Sequence, residues 1–321
     1  MQLLQAAMNE KTEIGDYTIV RLNENNVHDL TVLDNVVYGK NQRADYYLKK
    51  YNTAYTGKQY IGYIAYNNNI PLAYYGVIPV FLEVDGKPVL AAQSADSMTH
   101  PAHQSRGLYT QLSKLTFALC IEEGVELVFG FPNQNSYKPA VTKTGWKETG
   151  WMDAFTIEVN AIPLAGIARR LPLLKKLYTS YKTYVLKKYS VNAIGIPNSF
   201  VKEGWYGVSR DDDYLQYKTY NNSLVLQVGN SLTWVSLRNG FLIGDIILQD
   251  DFNIFITGIK KIAKQLGIAR IQFVISRGTN LHSLFAEKFT AVPAFPVLLQ
   301  TLNSTIAMEK FKFTYADIDV F

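Results

Sequence analysis

The chain has 321 residues, of which 48% are apolar, 13% aromatic and 18% charged, and its net charge is +5. That composition excludes disordered, collagen-like and fibrous classes, and at roughly 150 residues per domain the length suits about two domains. One cysteine, Cys120, excludes an intramolecular disulfide framework; with histidines only at 28, 100, 103 and 282 it forms no ligand cluster, so no metal is expected.

Residues 1–11 carry no basic leader, and Glu10 interrupts their apolar stretch, so a secretory signal is not expected. No run approaches the ~18 apolar residues of a transmembrane helix. With a lone cysteine fitting a reducing compartment, the expected location is cytoplasmic. The modest positive charge permits anionic ligands without requiring nucleic acid, and no nucleic-acid partner is expected.

In chain order, Asp16 to Leu22 alternates as a strand, and 26–37 and 43–51 read as helices. Three apolar, tyrosine-rich runs follow at 60–66, 72–82 and 88–99, separated by Asn67-Asn68-Asn69 and Asp85-Gly86. Asp-Gly between alternating runs is a hairpin signal, so the three strands form an antiparallel meander. The period then changes. Leu108, Leu112, Leu115 and Leu119 lie on one helical face, with Gly124 as a stop. A short strand at 126–131, a helix to about 143, a Gly145-Trp146 turn and a strand at 154–159 complete this segment.

Residues 161–199 hold seven Lys or Arg and no Asp or Glu, with Ile167, Leu171, Leu174, Tyr178, Tyr181 and Val185 as a helical stripe interrupted by Pro172. Two readings stay open: a basic amphipathic helix lying on an anionic membrane, or a connecting helix that packs its stripe and solvates its lysines. Beyond it, strands are expected at 214–220, 224–228, 233–237 and 241–248, a helix on Phe255, Ile259, Ile262 and Leu266, a strand at 270–275, a helix at 281–289 and a strand at 297–302. The strand-rich-then-helical order occurs twice, which points to a structural duplication in an α+β fold with mixed sheets.

Chemistry concentrates where the strand 93–99 runs through His100-Pro101-Ala102-His103 and Gln104-Ser105-Arg106-Gly107-Leu108-Tyr109 into the leucine-striped helix. Backbone N–H groups at a helix start attract an anion, Gly107 lets it approach, and Arg106 adds a charged donor. This stretch resembles the acyl-CoA loop of the GNAT superfamily of N-acyltransferases, whose pattern is Gln or Arg, two residues, Gly, one residue, then Gly or Ala. Gln104 and Gly107 match, while Tyr109 departs from the small residue. Thr99-His100-Pro101 resembles the strand end, Phe131 to Tyr137 the following strand and Asn-bearing helix start, and Thr144-Gly145-Trp146 the Gly-aromatic turn.

The resemblance implies two GNAT-like halves, each a mixed, mostly antiparallel sheet flanked by helices. They would be an acyl-CoA-binding domain over 1–160, a basic linker over 161–200 and a degenerate GNAT-like domain over 201–321. It implies acetyl-CoA or another acyl-CoA as co-substrate. The amides of Gln104, Ser105, Arg106, Gly107, Leu108 and Tyr109 would hold its diphosphate. Met98 and Thr99 would pair with the pantetheine arm, and Asn135 would contact that arm or the loop. Transfer would go directly to an amine, small or carrier-linked, with an amino sugar of a cell-surface polysaccharide as the leading guess.

Asp96 is the candidate general base, with a structural hydrogen-bonding role as the alternative, and His100 and His103 read as surface or loop-shaping residues, with a proton role as the alternative. The superfamily's usual acid, a Tyr four residues before the Gly-aromatic turn, is Val141 here; Tyr137 is the candidate substitute, and Tyr109 also lies close to the loop. Tyr109 must either tuck its ring away or block the loop. In the second half, Asp250 and Asp251 stand where phosphate donors are needed and would repel a diphosphate. That half is expected to lack cofactor and to complete the acceptor cleft or a shared sheet. The alternatives are a non-catalytic GNAT-fold binding or assembly module and an aminoacyl-tRNA-dependent relative, which the intact loop at 104–107 opposes.

Overall fold

The computed structural model describes residues 11–40, 42–170, 172–238, 240–303 and 305–321. Residues 1–10 of the leader reading and Leu171 of the basic stripe lie outside them. The chain forms two compact units, one built from residues up to Gly150 together with Pro296–Glu309, the other from Trp151–Phe295 and Lys310–Phe321.

In the first unit, β1 (Lys11–Ile14), β2 (Tyr17–Arg21), β3 (Ile61–Asn67), β4 (Ile70–Val84) and β5 (Lys87–Thr99) form an antiparallel series. β6 (Leu127–Gly130) joins β5 in parallel. Asp85 and Gly86 both take positive φ, 48° and 74°, in the two-residue turn that joins β4 to β5. This is the hairpin geometry that Asp-Gly favours, because its backbone twist matches that of the strands.

Helices α1 (Asp29–Tyr38) and α2 (Ala44–Tyr51) cover one face of this sheet and α3 (Leu108–Glu122) the other. Consecutive tyrosines show the alternation. Tyr74 makes an edge contact with Tyr51 of α2, while Tyr75 makes edge contacts with Tyr109 and Phe117 of α3. The four leucines of α3 are each at most 2% exposed. At about 1.5–3 kcal/mol each, their burial anchors the helix that follows the turn at 104–107. α4 (Gln134–Lys143) follows β6.

The second unit repeats the order. β9 (Ser223–Val228), β10 (Ser231–Ser236) and β11 (Phe241–Ile247) form an antiparallel meander, α8 (Phe252–Gln265) follows, and β12 (Arg270–Ser276) joins β11 in parallel. The predicted stripe Phe255, Ile259, Ile262 and Leu266 is at most 1% exposed. α9 (Asn280–Ala286) and β13 (Val292–Thr301) complete the repeat. α5 (Leu164–Arg170) and α6 (Pro172–Leu186) precede it, Pro172 opening the second helix where its missing N–H costs nothing. The short β8 (Gly207–Val208) also lies before the meander.

The expected strand at 214–220 is a helix instead, α7 (Asp212–Lys218). Asp211 caps it, its carboxylate accepting from the Tyr214 amide at 2.8 Å, and two more aspartates fill the first turn. Negative charge at a helix N-terminus outweighs the β propensity of the tyrosines. The units are also not contiguous halves. β7 (Lys147–Glu158) starts in the first unit, yet residues 152–158 pair antiparallel with β12 in the second. Residues 298–301 of β13 pair with β6 in the first. Each unit thus takes its last strand from the other segment of the repeat, which a split at 160 and 200 does not provide.

Candidate active site

The site lies in the first unit, where β5 outruns β6. Parallel pairing covers Ala91–Gln93 against Leu127–Phe129 and then stops. A Cβ on Gly130 would lie 3.3 Å from that of Ser94, so the strands are still in contact there. β6 ends at Gly130 while β5 continues to Thr99. The strands part at this point, leaving the β5 edge at Met98 and Thr99 without a β6 partner.

A bulge sits in the same stretch. Met98 pairs with Tyr74 and Ala95 with Gly76, so Asp96 and Ser97 together face Tyr75 alone. Asp96 has φ +50°, unusual for a residue with a side chain. Such bulges re-aim side chains. Here Asp96 Oδ2 lies 2.6 Å from Lys50 Nζ and accepts from the Tyr51 hydroxyl at 2.9 Å. Lys50 is fully buried, whereas the Asp96 side chain is 18% exposed and its Oδ1 takes no bond from the described residues. Nearby Asp34 is only 2% exposed, and burial pushes its carboxyl above the usual range. Sequence reasoning missed Lys50, Tyr51 and Asp34. Tyr47, Lys50 and Tyr51, at spacings of three and four, formed a readable helical face with a lysine inside it.

The loop begins with a 3-10 turn, Pro101–His103, whose Ala102 amide donates to His100 Nδ1 at 3.1 Å. Ser105 and Gly107 then take φ +61° and +80°. Gly107 caps α3 without a side-chain bond, and the first helical bond runs from the Gln111 amide to Gly107. None of the amides of residues 105–110 donates to an acceptor of the described residues. They are the orphan donors of a helix start, gathered on one turn. Gly107 suits a left-handed position that side chains resist.

Arg106 does not project freely. It donates to the Tyr17 hydroxyl at 3.3 Å and the Ala102 carbonyl at 3.3 Å, and the Tyr17 hydroxyl lies 2.9 Å from His103 Nδ1. Burial, then the Arg106 cation and His100, push the His103 imidazole below its ordinary 6.5. The Tyr17 hydroxyl can pair with either tautomer of the neutral ring, and in the protonated ring Nδ1 donates to the hydroxyl oxygen. NMR titration is expected to place His103 below 6.5, and Arg106→Ala to move it upward by removing one of the three causes.

Tyr109 packs its ring on Tyr75 at 5.5 Å, against the core under α3, which takes it off the outer side of the turn. Burial raises its hydroxyl to about 12, a hydrogen bond with Thr144 partly offsetting the rise. Asn135 is exposed, and its side-chain amide carries no bond to the described residues. Asn133, which the sequence did not single out, caps α4 by accepting from the Asn135 and Ser136 amides at 2.9 and 3.1 Å. Tyr137 donates to Glu148 at 2.6 Å, and that carboxylate holds its hydroxyl above the ordinary value. Val141 is 37% exposed.

The corresponding turn of the second unit is occupied by its own side chains. Asp251 caps α8 by accepting from the Asn253 amide at 2.8 Å. Asp250 accepts from the Asn230 amide at 2.6 Å and the Asn230 side chain at 2.8 Å. Gly229 makes this possible, since a Cβ there would collide with the Asp250 carboxylate. Carboxylates therefore fill the space that backbone donors offer in the first unit.

The parted strands, the bulge and the open-amide turn define an acetyltransferase-type fold, and residues 18–148 match the model of an acetyltransferase (GNAT) domain. The chain carries this match within its first unit. It is similar in fold to a GCN5-related N-acetyltransferase from Kribbella flavida, at 12% identity and TM-score 0.57, over 90% of this chain and 71% of that one. A probable N-acyltransferase from Enterococcus faecalis aligns at 12% identity and TM-score 0.56, over 89% and 73%. A protein from Pyrococcus horikoshii aligns at 15% identity and TM-score 0.54, over 96% and 98%. No curated protein matches the sequence.

Proposed function

We propose that the chain transfers an acetyl or other short acyl group from acyl-CoA to an amine by direct attack. The observation that carries this reading is the set of unbonded amides at residues 105–110, set beside a strand edge that has lost its partner. The turn suits a diphosphate in charge and donor direction. Acyl-CoA would supply the activated acyl group. The amides of Ser105 to Tyr109 would hold its phosphates, the expected Gln104 amide being taken by the Pro101 carbonyl at 3.4 Å, and Met98 and Thr99 would align the arm along β5. Asn135 is free to bond the arm from the far side. Such a reaction belongs to the cytoplasm, where acyl-CoA is made.

Asp96 is the base of this reading. Lys50 and Tyr51 hold Oδ2, so Oδ1 is left to take the proton of the attacking amine. The positioned carboxylate and the entropy saved by fixing both reactants carry the rate.

Tyr137 is a weak acid in this arrangement. A thiol titrates near ~8.5, below a tyrosine that Glu148 has raised further. Proton transfer from Tyr137 to the departing sulfur is therefore uphill. Tyr137→Phe is expected to lower kcat less than about tenfold, measured by CoA release. The exposed Val141 favours a second reading, acyl-CoA binding without turnover. Calorimetry with acetyl-CoA tests the loop, and CoA release over amino sugars, alkyl amines and a lysine peptide tests turnover. Heat without CoA release selects the second reading, and no heat removes both.

A further inference from the structure

We propose that helices α5 and α6 form a docking surface for an anionic lipid bilayer. Of seventeen large apolar side chains exposed among the described residues, seven lie between Ile162 and Tyr184. Scattered exposed apolar residues are ordinary, but this concentration within one short segment is not scatter. Packing of α6 does not account for it. Val185 is buried, and the hydroxyls of Tyr178 and Tyr181 donate to the carbonyls of Leu266 and Gln265 at 2.9 and 2.8 Å. Leu177 and Tyr184, seven residues apart, lie about 100° around the helix from Tyr178 and Val185. They are 69% and 62% exposed, and Ile162 is 71% exposed. The helix thus has a second apolar face beyond the one it buries.

Charge decides the occupant. Residues 161–199 hold seven Lys or Arg and no acid. Lys175, Lys176, Lys187 and Lys188 are exposed, and Lys188 Nζ lies 4.6 Å over the Tyr184 ring. Two such faces would repel each other, which opposes a second copy. A purely polyanionic partner would engage the lysines and leave Ile162, Leu177 and Tyr184 in water. A bilayer takes both: apolar side chains enter the headgroup boundary while lysines reach the phosphates. No helix among the described residues is long and apolar enough to cross a membrane, so the contact is peripheral. It is independent of the acyltransferase reading.

The test is flotation of the full chain with vesicles of phosphatidylcholine containing roughly one-third phosphatidylglycerol, and with phosphatidylcholine alone. Binding is expected to the anionic vesicles only and to fall at least about tenfold between ~0.1 M and ~1 M salt. Leu177→Ser with Tyr184→Ser is expected to lower partitioning about tenfold with an unchanged thermal unfolding curve. Lys175→Glu with Lys176→Glu, which alters exposed charge only, carries the test if the serine pair unfolds. No flotation with anionic vesicles, equal binding to phosphatidylcholine, or binding indifferent to both variants overturns the proposal. So does a dimer, seen by light scattering, that the serine pair dissolves.

Discussion

Asp96→Asn is expected to lower kcat for amine acetylation about 10²–10⁴-fold and to leave acetyl-CoA affinity unchanged. The change is nearly isosteric. Asparagine tolerates the left-handed backbone that Asp96 adopts at φ +50°, so the bulge survives. It removes the carboxylate that would accept the amine proton, while the loop amides at 105–110 are untouched. The confounding effect is Lys50, fully buried and 2.6 Å from Asp96. A buried ammonium without its anion costs about 3–5 kcal/mol, which a melting curve will register. Lys50→Met added to Asp96→Asn removes that stranded charge and should recover most of the stability while kcat stays low. Recovery of both would make Asp96 a structural ion-pair partner only. A kcat within threefold of the parent in Asp96→Asn would remove it as the base.

Arg210→Met is expected to destabilise the second unit by about 3–5 kcal/mol, read from urea unfolding. Arg210, Asp245 and Asp317 all have fully buried side chains. The guanidinium reaches Asp245 at 2.6 Å and Asp317 at 2.8 Å, and also donates to Thr314 at 2.9 Å. It ties β11 to the segment around 314–317. Burial raises the Asp245 carboxyl, and Arg210 opposes the rise. Without Arg210 both carboxylates lose their cation in a fully buried site. Arg210→Met combined with Asp245→Asn and Asp317→Asn should recover much of the loss, because no charge is then buried. A loss below about 1 kcal/mol in the single variant would mean that water reaches the site.

The turn at 104–109 was legible as a turn because its signals are local. A strand, a proline-containing turn, Gly107 and a leucine stripe lie within one short segment, and each acts through its own backbone conformation. Asp96 was singled out by its place before that loop. Its partners were not, because Lys50 and Tyr51 reach it from a helix more than forty residues away. Tyr109 posed a choice that only packing could resolve: its ring needed Tyr75 on a neighbouring strand before its direction was defined.

By itself, the sequence determined most of the order of strands and helices, though not β1, β8 or the helix α7, together with the Asp85-Gly86 hairpin, the leucine and isoleucine stripes, and the contrast between a glycine-containing turn at 104–109 and two aspartates at 250–251. Tertiary structure alone decided that β13 ends beside β6, that β7 pairs with β12, and that Lys50 meets Asp96. The physical reason is the range of the forces involved. Turn and helix preferences act over a few residues and leave a pattern in the chain. Strand alternation states which face is buried but not which partner strand supplies the hydrogen bonds, and a buried ion pair exists only once two distant segments have excluded water together.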